Sequence, residues 1–393
     1  MKDDRILLAH GSGGKLSAEL IQRVFIPAFG NPALNRLDDS AVLARYQEVF
    51  DSSGDTPDPA RRGSVPSGHP HGLSATYLDV GYQHAAPERG GRGARVPGST
   101  RHSTGRLALT TDCHVVKPLF FDGGDIGRLA VCGTVNDLAM VGARPLYLAA
   151  GFVLEEGLPI ETLERVVASM KVAAEEAGVA VVTGDTKVVE QGSADGLFVT
   201  TTGVGLVPDG IDLSASNARP GDVVLLSGPI GDHGIAVLSR REGLEFGIPV
   251  TSDVAPLNHL VEALLEASPH LRALRDPTRG GLATTLNELA AQSGVAMRIE
   301  EDQIPVRPAV QAACEMLGYD PLYVANEGKL VAIAPPEEAE QAVAALRSTR
   351  YGEEARLIGT VLPEPPGRVL MKTRIGGTRV VQMLMGEMLP RIC

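Results

Sequence analysis

The sequence predicts an α/β protein built in two ordered parts, each a mixed sheet with helices packed against it. Three observations carry that expectation. The chain has 393 residues, more than one hydrophobic core usually serves, the limit lying near ~250–300 residues. From Leu107 onward, short apolar runs alternate with segments of helical period, which favours sheet-and-helix layers. A turn-rich junction, SNARPG at 216–221, separates two such alternations. The expected organisation is an N-terminal domain over 1–207, a C-terminal domain over 208–380 and a tail over 381–393.

The elements follow in order. Leu16–Phe25 reads as a helix and DDSAV, at 38–42, leads into a strand. Residues 51–106 interrupt this part. They are crowded with Gly, Pro, Ser, Arg and His, carry almost no periodicity beyond ATYLDVGY, and read as a flexible insertion. LALTTD and CHVV then read as strand material, and Asp125–Val141 as a helix. PLYLAAGFVL is a strand, Ile160–Ala177 a helix, and VAVVTGD and LFVTTTGVGLV two further strands. Past the junction come the strand VVLLSG and helices at Gly234–Arg241, Pro256–Leu265 and Gly281–Ser293. AMRIE, KLVAIA and LIGTVL read as strands, with helices at Ala309–Met316 and Pro336–Arg347 between them. A last short strand pair precedes the tail.

Composition removes several function classes. An apolar fraction of 44% with 21% charged residues describes a soluble globular chain. A net charge of −12, aromatics at 4% and no Trp argue against nucleic acid, whose binders are basic and use stacking platforms. No apolar run approaches the ~18 residues of a membrane helix, and the acidic N-terminus is no signal peptide. The four cysteines, Cys113, Cys132, Cys314 and Cys393, show no CxxC spacing. Free thiols in a reducing compartment, the cytoplasm, are expected.

Several constellations suit ATP and Mg²⁺. In HGSGGK, Gly11, Gly13 and Gly14 let backbone N–H groups approach phosphate, and Lys15 adds a charge. The spacing is not that of a P-loop, and a plain N-terminal turn is the alternative. Carboxylates at strand ends and within a helix, Asp38, Asp39, Asp112, Asp137 and Asp185, are hard oxygen donors of the kind Mg²⁺ takes. Strand-end caps and turns would also place Asp there. Lys187, two residues past Asp185, suits a phosphate or a tuned acid–base role. Glu327 in NEGK reads as a general base or as a turn carboxylate. The turns GPIGDHG (228–234) and DPTRGG (276–281) are expected to open helices, with capping alone enough to explain Asp276. The terminal thiol of PRIC, Cys393, sits on an untethered tail that can travel between sites. His69, His71, His84 and His102 in the insertion read as solvated residues.

As a group, HGSGGK, DDSAV, TTD, GGDIGRLAVCGTVNDLAMVGARPLYL, VTGDTKVV, DPTRGGLATTLNE, NEGK and the terminal PRIC resemble the HypE carbamoyl dehydratases of hydrogenase maturation. These belong to the aminoimidazole ribonucleotide synthetase-like (PurM-like) superfamily. The resemblance covers nearly the whole chain outside 51–106. It implies an N-terminal ferredoxin-like mixed-sheet domain, a C-terminal α/β domain, and a homodimer formed through the N-terminal sheets. It implies that the carbamoyltransferase HypF loads a carbamoyl group on Cys393. ATP then drives its dehydration to a thiocyanate, whose cyano group goes to iron on a HypC–HypD complex. By the same resemblance Asp38, Asp39, Asp112 and Asp137 gather Mg²⁺ and phosphates, with Asn136 and Asp185 at the nucleotide. Lys187 and Glu327 match the positions credited with deprotonating the carboxamide nitrogen.

Overall fold

A computed structural model describes Lys15, Ala18 and residues 41–45, 105–244, 249–386, 389 and 391–393. The expected insertion at 51–106 lies outside these almost entirely, as do Gly11, Gly13, Gly14, Asp38, Asp39 and nearly all of the expected helix Leu16–Phe25.

The first sheet has five strands: β1 (Ala41–Arg45), β2 (Gly105–His114), β5 (Arg144–Glu155), β6 (Ala180–Val189) and β7 (Leu197–Pro208), ordered β1-β2-β7-β5-β6. All its pairs are antiparallel except β5–β6. Two helices follow strands of this sheet. Helix α1 (Ile126–Met140) is capped by Asp125, whose side chain accepts from the Gly127 and Arg128 amides. Helix α2 (Ile160–Ala177) stops at Gly178, which takes the left-handed conformation a glycine tolerates. Before α1, the two-residue strands β3 (Phe120–Phe121) and β4 (Gly124–Asp125) form a hairpin too short to show a period in the sequence.

Strand alternation sorts this sheet's two faces. Ala108, Thr110 and His114 of β2 and Leu197, Val199 and Thr201 of β7 are buried, while Leu109, Thr111 and Cys113 point the other way and are exposed. Helix α1 covers the buried face. A Cβ on Gly133 would stand 3.2 Å from His114 Cε1 and 3.4 Å from Asp112 Oδ2, so a larger residue there would crowd both side chains. Leu129, Ala130, Cys132 and Val135 fill the core beneath.

The second sheet has seven strands: β8 (Val223–Leu226), β9 (Ala273–Arg275), β10 (Ala296–Glu300), β11 (Val331–Ala334), β12 (Arg356–Leu362), β13 (Arg368–Lys372) and β14 (Thr378–Val381). Their order is β14-β13-β10-β12-β8-β11-β9, antiparallel but for β10–β13. Its helices are α3 (Asp232–Glu242), α4 (Asn258–Ala267), α5 (Gly281–Ser293), α6 (Pro308–Leu317) and α7 (Ala339–Arg347). Leu226 and Val331 pack with Leu282, Leu286 and Leu289 in one layer, and Leu225 and Ala332 with Leu260 and Leu264 in another. No described helix is long and apolar enough to cross a membrane.

Candidate active site

Four carboxylates, one guanidinium and the terminal thiol meet beside the end of β2. Asp112 leaves β2 toward α1, and Asp137 answers from the fourth turn of that helix. Asp137 accepts a hydrogen bond from Thr110 Oγ1 at 2.9 Å. Burial pushes its pKa well above the ordinary carboxylate range, and the charges of Asp276 and Asp112 push it further. Asp276 follows β9. Burial lifts it to about 6. It caps nothing: α5 opens behind Gly280 (φ 80°) with no side-chain cap, four residues later. The capping explanation of Asp276 is therefore replaced by a place in the acidic cluster.

Glu327 is 4% exposed. Its amide donates to Asp253 Oδ1 at 3.1 Å, and its Oε1 is buried without a hydrogen-bond partner. Burial, then the charges of Asp276, Asp112 and Asp253, raise its pKa well above the usual range, with Arg279 opposing. Two asparagines fix it from either side. Asn326 donates to the Pro277 and Val324 carbonyls and accepts from the Gly231 amide at 2.7 Å. Asn136 donates to the Ala255 and Glu327 carbonyls at 3.1 and 3.3 Å and accepts from the Leu257 amide at 2.8 Å. Both amide hydrogens of Asn136 are thus engaged by backbone, so it holds the Glu327 segment in place.

Arg279 is the cation of this group. Its own proton is held most by Cys393, then by Asp112, Glu327 and Asp137. His114 is buried behind Asp112, with Nε2 3.6 Å from Asp112 Oδ2 and 3.3 Å from Thr201 Oγ1. Burial keeps its pKa below the ordinary histidine value. Carboxylates crowded out of water repel one another and recruit either protons or a cation. Among the described residues no three His, Cys, Asp or Glu side chains form a ready-made cage. The cluster is therefore a set of hard oxygen donors that would hold a cation only with further ligands, such as phosphate oxygens.

The tail expected to hang free is docked here. Val115 and Lys117 donate their amides to the carbonyls of Cys393 and Arg391, both at 3.2 Å, so the last residues run antiparallel to the chain leaving β2. Arg391 donates through Nε to the Val115 carbonyl at 3.1 Å and reaches Asp195 at 2.5 Å. Arg241 donates to the carbonyls of Lys117 and Arg391 at 2.8 and 2.6 Å. Ile392 is 2% exposed, in a core with Val116, Phe121, Val237, Val254 and Ala325. Cys393 is half-buried. Burial pushes its thiol up to about 12, against the pull of Arg279 and with a further push from Glu327.

Lys187 and Asp185 stand elsewhere. They pair with each other at 3.2 Å, each 72% exposed, on β6. The register runs Lys187↔Val153 and Val153↔Phe198, and both Lys187 and Val153 are exposed. That is the open face of the sheet, opposite the face that carries Asp112 and α1. Within one chain Lys187 and Glu327 do not meet. Lys15 lies beside the root of the tail, its amide donating to the Leu384 carbonyl at 3.1 Å. A separate cavity of about 570 Å³ lies past Ser252 and Asp253 and holds the ion pair Lys329–Asp253 at 3.3 Å. His114, Arg279, His233, Arg241 and Asp195 were not picked out from the sequence. Arg279 and His233 stand in glycine-rich turns whose only visible signal was a helix start.

Residues 97–207 match the family described as AIR synthase related protein, N-terminal domain, and residues 219–372 the corresponding C-terminal domain. The chain is 50% identical over 393 residues to the carbamoyl dehydratase HypE of Cupriavidus necator, covering all of this chain and 96% of that protein. A solved HypE–HypF complex matches with a TM-score of 0.75 and 42% identity, over 93% of this chain and 99% of that one. A HypE structure in complex with ATP matches with a TM-score of 0.71 and 45% identity, over 99% and 100% of the two chains.

Proposed function

The chain belongs to the HypE family of carbamoyl dehydratases, enzymes of hydrogenase maturation, and we propose that its substrate is a carbamoyl group carried on its own Cys393. The observation that supports this most is the docked tail, which sets that sulfur among Glu327, Arg279, Asp112 and Asp276. In balanced form, Cys–S–C(=O)–NH₂ and ATP give Cys–S–C≡N, ADP, phosphate and a proton. The amide oxygen departs on phosphorus and both N–H protons are removed.

This chain's residues supply the rest. Glu327, whose pKa is raised, is a strong base once ionised and takes a proton from the carboxamide nitrogen. Arg279 balances negative charge beside the sulfur. Asp112 and Asp137, with Asp38 and Asp39 by the family resemblance, would hold Mg²⁺, which would supply positive charge for the nucleotide phosphates. The donor chemistry fits, and a cation there would offset the burial and the neighbouring carboxylate charges that raise the Asp137 pKa. By the family resemblance, Gly11, Gly13, Gly14 and Lys15 would bind the phosphates through backbone N–H groups and the lysine charge. We assign ATP binding to a domain over 1–207, with a second domain over 208–380 and 381–393 as the travelling arm; the separate five- and seven-stranded sheets support this division. The enzyme works in the cytoplasm. HypF loads Cys393, and a HypC–HypD complex receives the cyano group.

Lys187 enters through a homodimer. The open face of the first sheet exposes Leu109, Tyr147 and Val153, and a second copy laid on it buries them. Lys187 is level with Val115 at the sheet end where Cys393 docks, so the lysine comes from the partner. Mixing inactive Lys187→Ala and Glu327→Gln proteins should then restore about a quarter of parental activity. No recovery on mixing, with subunit exchange verified, would mean that the lysine does not act across the dimer.

The direct test is intact-protein mass spectrometry after incubation with HypF, carbamoyl phosphate and ATP, with Cys393→Ala as control. The expected result is a carbamoyl adduct on Cys393 that loses one water only when ATP is hydrolysed. An unmodified Cys393, or an adduct that persists despite ATP hydrolysis, overturns the reading.

A further inference from the structure

His233 is fully buried, and the reaction as described makes no use of it. Its ring meets the edge of Phe121, with centroids 5.4 Å apart and planes at 89°. Nε2 stands 3.0 Å from the Ile392 carbonyl and Nδ1 stands 2.8 Å from Ser252 Oγ. We propose that His233, backed by Ser252, is the positioning residue that seats Cys393 for its reaction.

For the neutral ring that burial favours, the bonding allows one assignment. A carbonyl only accepts, so Nε2 carries the hydrogen and Nδ1 accepts. The Ser252 hydroxyl then donates to Nδ1 and itself accepts from the Val254 amide at 3.2 Å. Every polar atom of the pair is satisfied by the neutral ring in this tautomer, the state that burial favours. The carbonyl it grips belongs to the peptide bond between Ile392 and Cys393. That unit is planar, so fixing its oxygen fixes the plane from which Cys393 projects.

The docked backbone needs such a grip. Arg391 sits at φ 51°, a left-handed conformation that non-glycine residues seldom hold. At the last three residues the other backbone bonds hold residues 391 and 393, whereas His233 holds the residue between them. Its ring and the core around Ile392 therefore seat the same residue, one by its carbonyl and the other by its side chain.

The proposal rests on Cys393 carrying the substrate, and its test separates the two. In a Cys113→Ser background the only thiol outside the core is Cys393, since Cys132 and Cys314 are buried. His233→Leu keeps the bulk and removes the donor; His233→Gln restores an N–H. The first readout is the rate at which a maleimide labels Cys393 in the nucleotide-free protein. His233→Leu should label about tenfold faster, a shift of about 1.4 kcal/mol in docking. His233→Gln should fall back to within about threefold of the parent, and Ser252→Ala should lie between. The second readout is dehydration of the carbamoylated protein, expected to slow about tenfold in His233→Leu at unchanged half-saturation by ATP. Labelling at the parental rate in a folded His233→Leu protein overturns the proposal, and so does faster labelling with an unaltered dehydration rate. Should His233→Leu fail to fold, Ser252→Ala is read by the same two measures. A parent protein that never gains a carbamoyl group on Cys393 refutes the carrier reading instead, and the labelling rates still judge the grip.

Discussion

Truncating Ile392 to Ala separates a docking side chain from an ordinary core residue. Ile392 is 2% exposed and packs against Val116, Phe121, Val237, Val254 and Ala325. Removing three carbons at ~0.8 kcal/mol each costs about 2.4 kcal/mol. In a core residue that loss falls on global unfolding. Here it falls on the docking equilibrium, because only the last residues need to leave for Ile392 to reach water. A loss of about 2.4 kcal/mol lowers the docked-to-undocked ratio about 60-fold. Amide hydrogen exchange reads this directly. The Val115 and Lys117 amides donate to tail carbonyls, whereas the amides inside β2 are held by the β7 ladder. At neutral pH, exchange at 115 and 117 should accelerate about 60-fold in Ile392→Ala while the β2 amides stay protected. Unchanged protection at 115 and 117 would refute the argument. So would a lowered melting temperature with uniformly faster exchange, which would make Ile392 a structural residue.

Glu327→Gln should slow dehydration of the carbamoylated protein by about 10²–10⁴-fold while leaving carbamoyl transfer to Cys393 intact, read by mass spectrometry at successive times. Asp232 is raised to about 6 by burial and by Asp253. Its folded pKa lies above its unfolded one, so the native state binds the extra proton between pH 4 and pH 6. Its contribution to stability is present below pH 4 and is lost as pH rises through 6, about 3 kcal/mol at most. Urea unfolding from pH 4 to 7 should show a shallower decline in Asp232→Asn than in the parent, and parallel curves would contradict the assignment. Deleting Ser53–Ser103 should leave ATP hydrolysis by the Cys393-loaded protein nearly intact, and a large loss in a folded deletant would tie the insertion to turnover.

The elements that were legible in the sequence are those with a long period and a clear stop. Ile160–Ala177 is the observed α2, with an apolar period throughout and Gly178 at its end. Val331–Ala334 and Val223–Leu226 were legible as apolar runs between turns. Ala273–Arg275 was not, because three residues show no period. Within the site, Asp112 and Asp137 stood out as acids inside apolar stretches. Asp276 and Arg279 did not, since DPTRGG reads equally well as a helix start. Lys187 shows the limit most clearly. VVTGDTK was read as strand and strand end, but which face its odd-numbered residues occupy depends on the register with β5 and β7. That register sends Lys187 and Val153 outward together, away from Glu327.

The tail was read as untethered, its terminal thiol able to travel between sites, yet PRIC contains one large apolar residue, Ile392, that seats it. Docking is favoured by a modest margin. Burying that side chain at about 2 kcal/mol and making six hydrogen bonds at ~1 kcal/mol each contributes about 8 kcal/mol. Ordering three residues costs about 3–6 kcal/mol. Chemistry requires that the margin stay small. Burial pushes the docked Cys393 thiol up to about 12, so at neutral pH the docked sulfur is held as the thiol, the poorer nucleophile. Loading therefore belongs to the undocked tail. Once carbamoylated, the sulfur no longer has a proton to lose, and its burial beside Glu327 no longer carries that penalty. The site that disfavours the free thiolate thus accepts the loaded one, and the order of events follows from the environment of a single sulfur.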